Sequence, residues 1–141
     1  MSTTGVEVFD TTIQKTNGWL KDVMQALTWH DKHKAYQALR ATLHALRDRL
    51  TVEEVAQLGA QLPMLIRGFY YEGWNPTGKP ARIRHKKEFL ARVDYEFRGD
   101  ASIDPEQVTC AVFSVLSQRV ADGEIEDVKR LLPADILEFW P

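Results

Sequence analysis

Residues 39–63 read LRATLHALRDRLTVEEVAQLGAQLP, and residues 109–133 read TCAVFSVLSQRVADGEIEDVKRLLP. In both stretches apolar residues recur every three or four positions, which is typical of a helix face that packs on a core. A short polar turn interrupts each stretch, and a proline closes it. Residues 51–54 (TVEE) have the pattern of a capping box, so a second helix is predicted to begin there.

The two stretches are 70 residues apart and belong to a longer internal repeat. Residues 19–70 align with residues 89–140 without a gap, and 11 of the 52 aligned pairs are identical, among them Pro63 with Pro133. A constant register over this length favours duplication of one unit over chance agreement between two helical patterns.

Each unit is predicted to fold as about four helices. Glycine and proline occur at the helix borders, and no alternating Val, Ile and Thr pattern predicts a strand. We therefore predict an all-α helical bundle of two tandem, pseudo-symmetric repeats within a single domain. Repeat one covers about 10–74, a connector covers about 75–87, and repeat two covers about 88–141.

The composition excludes several classes of protein. The chain has 141 residues, with 18 Lys and Arg against 20 Asp and Glu, whereas a general nucleic-acid binder usually has a basic excess. A single cysteine, Cys110, cannot form an internal disulfide. The N-terminal MSTTGVEVFD lacks the pattern of a signal peptide, and no apolar run is long enough to span a membrane. We therefore predict a cytoplasmic protein that does not bind membranes.

Several segments resemble a known family. Residues 39–80 read LRATLHALRDRLTVEEVAQLGAQLPMLIRGFYYEGWNPTGKP, and EFLARV, AVFSVLSQRVADGEIEDVKRLLP and a final FW follow in the second repeat. Together they resemble the bacterial domain of unknown function 2267 (DUF2267) family, from about residue 10 to the end. The resemblance implies a small helical protein found in bacteria, and it implies no activity and no catalytic residues.

No motif commits the chain to a reaction, so we predict that it is not an enzyme and uses no cofactor or metal. His30 and His33 lie one helical turn apart with Asp31 between them, but a closed metal site needs about four ligands. Cys110 is interpreted as a small residue within a core helix. His44 is interpreted as a surface or boundary histidine.

Arginine and glutamate recur at one helix corner in both repeats. Arg49 ends a predicted helix and Glu54 begins the next, and Arg119 and Glu124 occupy the equivalent positions. Because a buried guanidinium needs partners, we predict a structural role for all four residues. Each arginine should be partly buried and bonded to its own glutamate or to helix-end carbonyls.

The segment 70–87 combines aromatic with basic residues outside the repeat pattern. The candidate ligand or partner surface consists of Tyr71, Trp74, Lys79, Arg82, Arg84, Lys86 and Lys87. An aromatic wall beside clustered cations can bind an acidic protein segment, a phosphate-bearing ligand or a single strand. The other interpretation is a connector whose aromatic residues fill the seam between the repeats and whose basic end is a solvated helix start.

The leading functional hypothesis is a non-enzymatic helical interaction module that binds another protein or itself. One alternative is a nucleic-acid or anionic-ligand binder that uses the 70–87 segment. Another is a metal-binding protein or enzyme that uses the histidines and carboxylates.

Overall fold

Helices form most of the chain in the computed structural model, which describes residues 3–141. That part of the chain contains eight helices and no strand. Their bounds are α1 Glu7–Leu27, α2 Lys32–Arg49, α3 Val52–Ala60, α4 Met64–Tyr71, α5 Lys86–Tyr95, α6 Pro105–Arg119, α7 Asp122–Arg130 and α8 Ala134–Leu137. The predicted all-α bundle is confirmed. None of these helices is long and apolar enough to cross a bilayer.

Side-chain caps mark three of the helix starts. Asp31 accepts a hydrogen bond from the Lys34 amide at 3.1 Å, and Thr51 accepts one from the Glu54 amide at 3.2 Å. Asp104 caps α6 in the same way. Each cap satisfies an amide that has no partner within its helix, and the helix start predicted at Thr51 is confirmed.

Helix bounds in the middle of each repeat follow the 70-residue offset. α3 spans Val52–Ala60 and α7 spans Asp122–Arg130, while α2 and α6 also end 70 residues apart. The outer helices differ, because α5 is much shorter than α1 and α8 has only four residues. A backbone overlay of residues 19–70 on residues 89–140 stays a prediction.

One apolar core joins the two halves of the chain. Leu39, Leu43 and Leu46 of α2 are fully buried, as are Phe113 and Leu116 of α6. α1 packs on α2, α4 and α6, while α2 also contacts α5 and α6, and α3 packs on α7. Because buried residues from both repeats form one cluster, we expect the two repeats to depend on each other for stability.

Candidate interaction surface

The connector between the repeats is anchored to the end of α2. The Ile83 side chain is buried, with 1% of its surface exposed. The Ala81 amide donates to the Asp48 carbonyl at 2.7 Å, and Arg49 Nε donates to the Ile83 carbonyl at 2.9 Å. These contacts give the middle of the connector a defined position against the first repeat.

The aromatic part of the predicted ligand surface packs on α3. Tyr71 Oη donates to the Val55 carbonyl at 3.4 Å, and a Cβ built on Gly59 would lie only 2.5 Å from that oxygen. The Trp74 ring contacts the Tyr71 ring at a centroid distance of 5.8 Å, and Trp74 Nε1 is buried without a partner. Both rings are half-buried against the core, which supports the interpretation that they contribute to packing.

Replacing Gly59 with alanine is expected to lower the free energy of unfolding by about 1–2 kcal/mol, because the added methyl group displaces the Tyr71 ring. The matched control is Gly68→Ala in α4, where nothing lies within 4 Å of an added Cβ. That control is expected to raise the free energy of unfolding by about 0.5–1 kcal/mol, since alanine favours a helix. Urea denaturation measures both changes, and equal effects would contradict the close contact of Tyr71 with α3.

The basic residues of the predicted ligand surface extend along the connector into α5. The exposed cations are Arg82, Arg84 and Lys87. Lys79 is half-buried, and Lys86 Nζ forms an ion pair with Glu138 at 2.6 Å. Ligand binding by these residues stays a prediction.

The predicted partners of the two arginines, which were the glutamate of the same corner or helix-end carbonyls, are wrong. Arg49 bonds to the connector carbonyl described above, and Arg119 Nε donates to Asp22 Oδ2 of α1 at 2.8 Å. Arg49 is half-buried as predicted, but Arg119 is exposed. Glu54 and Glu124 instead interact with each other where α3 packs on α7.

A broad apolar surface lies between the first half of α1 and α4, and we call it the α1/α4 surface. Its apolar members are Phe9, Ile13, Met64 and Leu65, which are each between 41% and 49% exposed. Val6 and Val8 at the start of α1 are exposed as well. Two adjoining depressions, of about 590 and 480 Å³, share Ile13, Leu65 and Phe69 in their lining. Contiguous exposed apolar area of this kind is typical of an interaction site.

α4 is held at both ends, so one wall of the α1/α4 surface is rigid. At the N-terminal end of α4, the Leu65 amide donates to the Thr12 hydroxyl of α1 at 2.9 Å. At the C-terminal end, His44 Nε2 donates to the Phe69 carbonyl at 2.6 Å. Both contacts satisfy helix-end groups that have no partner within the helix.

Arg47 supplies further contacts at the C-terminal end of α4. Its Nη1 donates to the carbonyls of Tyr70 and Glu72, and its Nε bonds to Asp48 Oδ1 at 3.1 Å. Arg40, two turns earlier on α2, forms an ion pair with the Glu72 carboxylate at 2.8 Å. Arg47 is only 5% exposed, so these partners stabilise a buried charge that would otherwise be costly.

The interpretation of His44 as a surface or boundary residue is wrong, because the side chain of this α2 residue is buried. Burial lowers the pKa of His44, although its hydrogen bond to the Phe69 carbonyl raises it; the charges of Arg47 and Arg40 also lower it. Nε2 carries a proton, since the Phe69 carbonyl can only accept. Nδ1 faces the Glu96 carboxylate at 3.4 Å, and the charge of Glu96 raises the pKa of His44.

Within residues 3–141, no three His, Cys, Asp or Glu side chains lie close enough to hold a metal ion. His30 and His33 are exposed at the start of α2, where Asp31 is already engaged as the helix cap. Burial raises the pKa of the Cys110 thiol, which keeps it in the protonated, less nucleophilic form.

A family model described as "Uncharacterized conserved protein (DUF2267)" matches residues 16–139. The chain belongs to this family. The match confirms the resemblance carried by segments of both repeats. No curated protein matches the chain. The family description states no activity, so the function of this DUF2267 protein is argued below from its own surface.

The α1/α4 surface of this DUF2267 protein has a signal in the sequence that helical spacing alone does not reveal. Met64 and Leu65 align with Ala134 and Asp135 in the second repeat. Apolar positions shared by both repeats, such as those of α2 and α6, pack in the core. Met64 and Leu65 are apolar in the first repeat only, and both are exposed.

Proposed function

We propose that this DUF2267 protein is a non-enzymatic interaction module that self-associates through the α1/α4 surface. The observation that supports this function is the exposure of four apolar side chains, Phe9, Ile13, Met64 and Leu65, around one depression. Their burial is favourable by roughly 25 cal/mol per Å² of apolar area removed from water. Because α4 is already held by Thr12, His44 and Arg47, binding requires little further ordering of this surface.

The shape of the α1/α4 surface suits a second copy of the chain. Val6, Val8 and Phe9 are exposed at the start of α1, and Phe9 lines the depression of about 590 Å³ together with Ile13 and Leu65. A two-fold dimer uses the same patch on both subunits. The projecting residues of each copy can therefore enter the depression of the other.

The charges of the α1/α4 surface are also complementary under a two-fold axis. Glu72 lines the depression of about 590 Å³, and Lys32 lines the adjoining one of about 480 Å³. An antiparallel arrangement brings Lys32 of one copy toward Glu72 of the other. Opposite charges at the rim favour this register and speed association.

Sedimentation equilibrium is expected to give the wild-type protein twice the 16.2 kDa mass of the monomer. Leu65→Asp is expected to weaken the dimer by about a hundredfold or more, because a carboxylate would be buried in an apolar interface. The fold should persist, since Asp135 occupies the equivalent position in the second repeat. An acidic residue is also favoured in the first turn of a helix.

The matched control is Val52→Asp, which places the same charge on a residue of similar exposure in the first turn of α3. Asp122 occupies its equivalent position in the second repeat. This variant is expected to remain dimeric. A folded wild-type monomer at high concentration would contradict the proposal, as would a dimer that Leu65→Asp leaves intact. A monomer that binds single-stranded nucleic acid in a salt-dependent manner would favour the alternative function of the connector.

A further inference from the structure

Glu54 and Glu124 occupy equivalent positions in the two repeats and meet where α3 packs on α7. Each lies in the first turn of its helix. Glu54 is only 6% exposed, and the Oε1 atoms of both residues are buried and receive no hydrogen bond from an N–H group or a hydroxyl. Two ionised carboxylates can only accept hydrogen bonds, so a proton on one of them is needed to satisfy both.

The surroundings oppose a negative charge on both carboxyl groups. α3 contributes Glu53 and α7 contributes Asp127, while α4 presents the phenol groups of Tyr70 and Tyr71. The positive charge of Arg47 on α2 lowers the pKa of Tyr70, but its guanidinium already bonds to carbonyls at the end of α4. Neither Glu54 nor Glu124 forms an ion pair with a cation in the described part of the chain.

The carboxyl pair is therefore best satisfied by one charge and one proton. Burial, followed by the hydrogen bond and charge of Glu124, raises the pKa of Glu54 to about 8. The helix dipoles at the two first turns favour one negative charge at this contact. A second charge would lie in a buried site beside the first, where like charges strongly oppose ionisation.

We propose that Glu54 and Glu124 share a single proton at neutral pH and that this proton holds α3 of the first repeat against α7 of the second. Its loss in mild alkali leaves two carboxylates face to face, each with a buried oxygen. The contact between the halves then loosens. The chain thus contains an alkaline-sensitive junction between its repeats.

The direction of the pH effect follows from proton linkage. The folded protein keeps the proton over a range in which an unfolded glutamate, with its pKa near 4.5, has already released it. The stability that the proton contributes is complete below about pH 4.5 and falls as the pH rises. It is lost once the pH passes about 8.

Urea unfolding from about pH 6 to about pH 9 tests this junction. The unfolding equilibrium constant of the wild-type protein is expected to rise about tenfold or more relative to that of Glu54→Gln, whose amide keeps a donor at every pH. Glu124→Gln is expected to behave like Glu54→Gln. Glu126→Gln, which removes an exposed carboxylate from α7, is expected to follow the wild type.

Carboxyl ¹³C chemical shifts give a second measurement that requires no variant. One carboxyl of the Glu54 and Glu124 pair is expected to titrate near pH 8 in the folded wild-type protein. Titration of both groups near pH 4.5 would overturn the proposal. A wild-type pH profile of stability that both glutamine variants reproduce would overturn it as well.

Discussion

Replacing Arg47 with methionine is expected to lower the free energy of unfolding by about 3–5 kcal/mol. The guanidinium is buried, and it donates to the carbonyls of Tyr70 and Glu72 while bonding to Asp48. Methionine fills a similar volume without a donor. It would leave the Tyr70 and Glu72 carbonyls at the end of α4 without this donor, and desolvated groups of this kind are costly.

Urea denaturation measures this loss, and Arg82→Met in the exposed connector is the matched control. The control is expected to change the free energy of unfolding by less than about 0.5 kcal/mol, as is usual for surface substitutions. Arg47→Lys keeps the charge with a different donor geometry, so its loss of unfolding free energy should lie between those of Arg47→Met and Arg82→Met. A loss below 1 kcal/mol for Arg47→Met would contradict the structural role of Arg47.

Replacing Phe113 with alanine is expected to lower the free energy of unfolding by about 3–5 kcal/mol, because it opens a cavity at the centre of the second repeat. The Phe113 ring stacks on Trp140 at 4.2 Å between centroids, and it also contacts Phe89 and Phe139. Phe113→Leu introduces the residue that Leu43 provides in the first repeat. That smaller change is expected to cost about 1–2 kcal/mol.

Thermal and urea unfolding should therefore show a larger loss of unfolding free energy for Phe113→Ala than for Phe113→Leu. Tyr95→Ala is the control for loss of an aromatic ring, since Tyr95 is 83% exposed on α5. It is expected to stay within about 0.5 kcal/mol of the wild type. A similar loss for Phe113→Ala and Tyr95→Ala would contradict the placement of the core.

Local sequence patterns predicted the helices because helix starts depend on neighbouring residues. Thr51 and Asp104 cap the amides of residues two or three positions later, which a sequence displays directly. The 70-residue offset predicted where α7 begins, although Ala121 provides no side-chain cap there. Apolar spacing likewise located Leu39, Leu43 and Leu46 in the core.

Long-range partners could not be predicted from the same patterns. The sequence predicts that Arg49 bonds to Glu54 or to a helix-end carbonyl, but its acceptor is the carbonyl of Ile83, 34 residues away. In the sequence, His44 is flanked by both polar and apolar residues, so the pattern does not predict its burial. Its contact with the Phe69 carbonyl of α4 explains why it is buried. The exposed face of α1 that carries Ile13 and the exposed face of α4 that carries Leu65 have the same helical spacing as a core face. Spacing shows which residues share a face and does not show whether another element covers it.

The meeting of two copies on the α1/α4 surface is tested most directly by isotope-filtered nuclear Overhauser measurements. An equal mixture of methyl-labelled and unlabelled protein reports only contacts between copies. We predict intermolecular contacts to the methyl groups of Ile13 and Leu65 and none to those of Val52. A sample with dimeric mass whose intermolecular contacts avoid Ile13 and Leu65 would contradict the account.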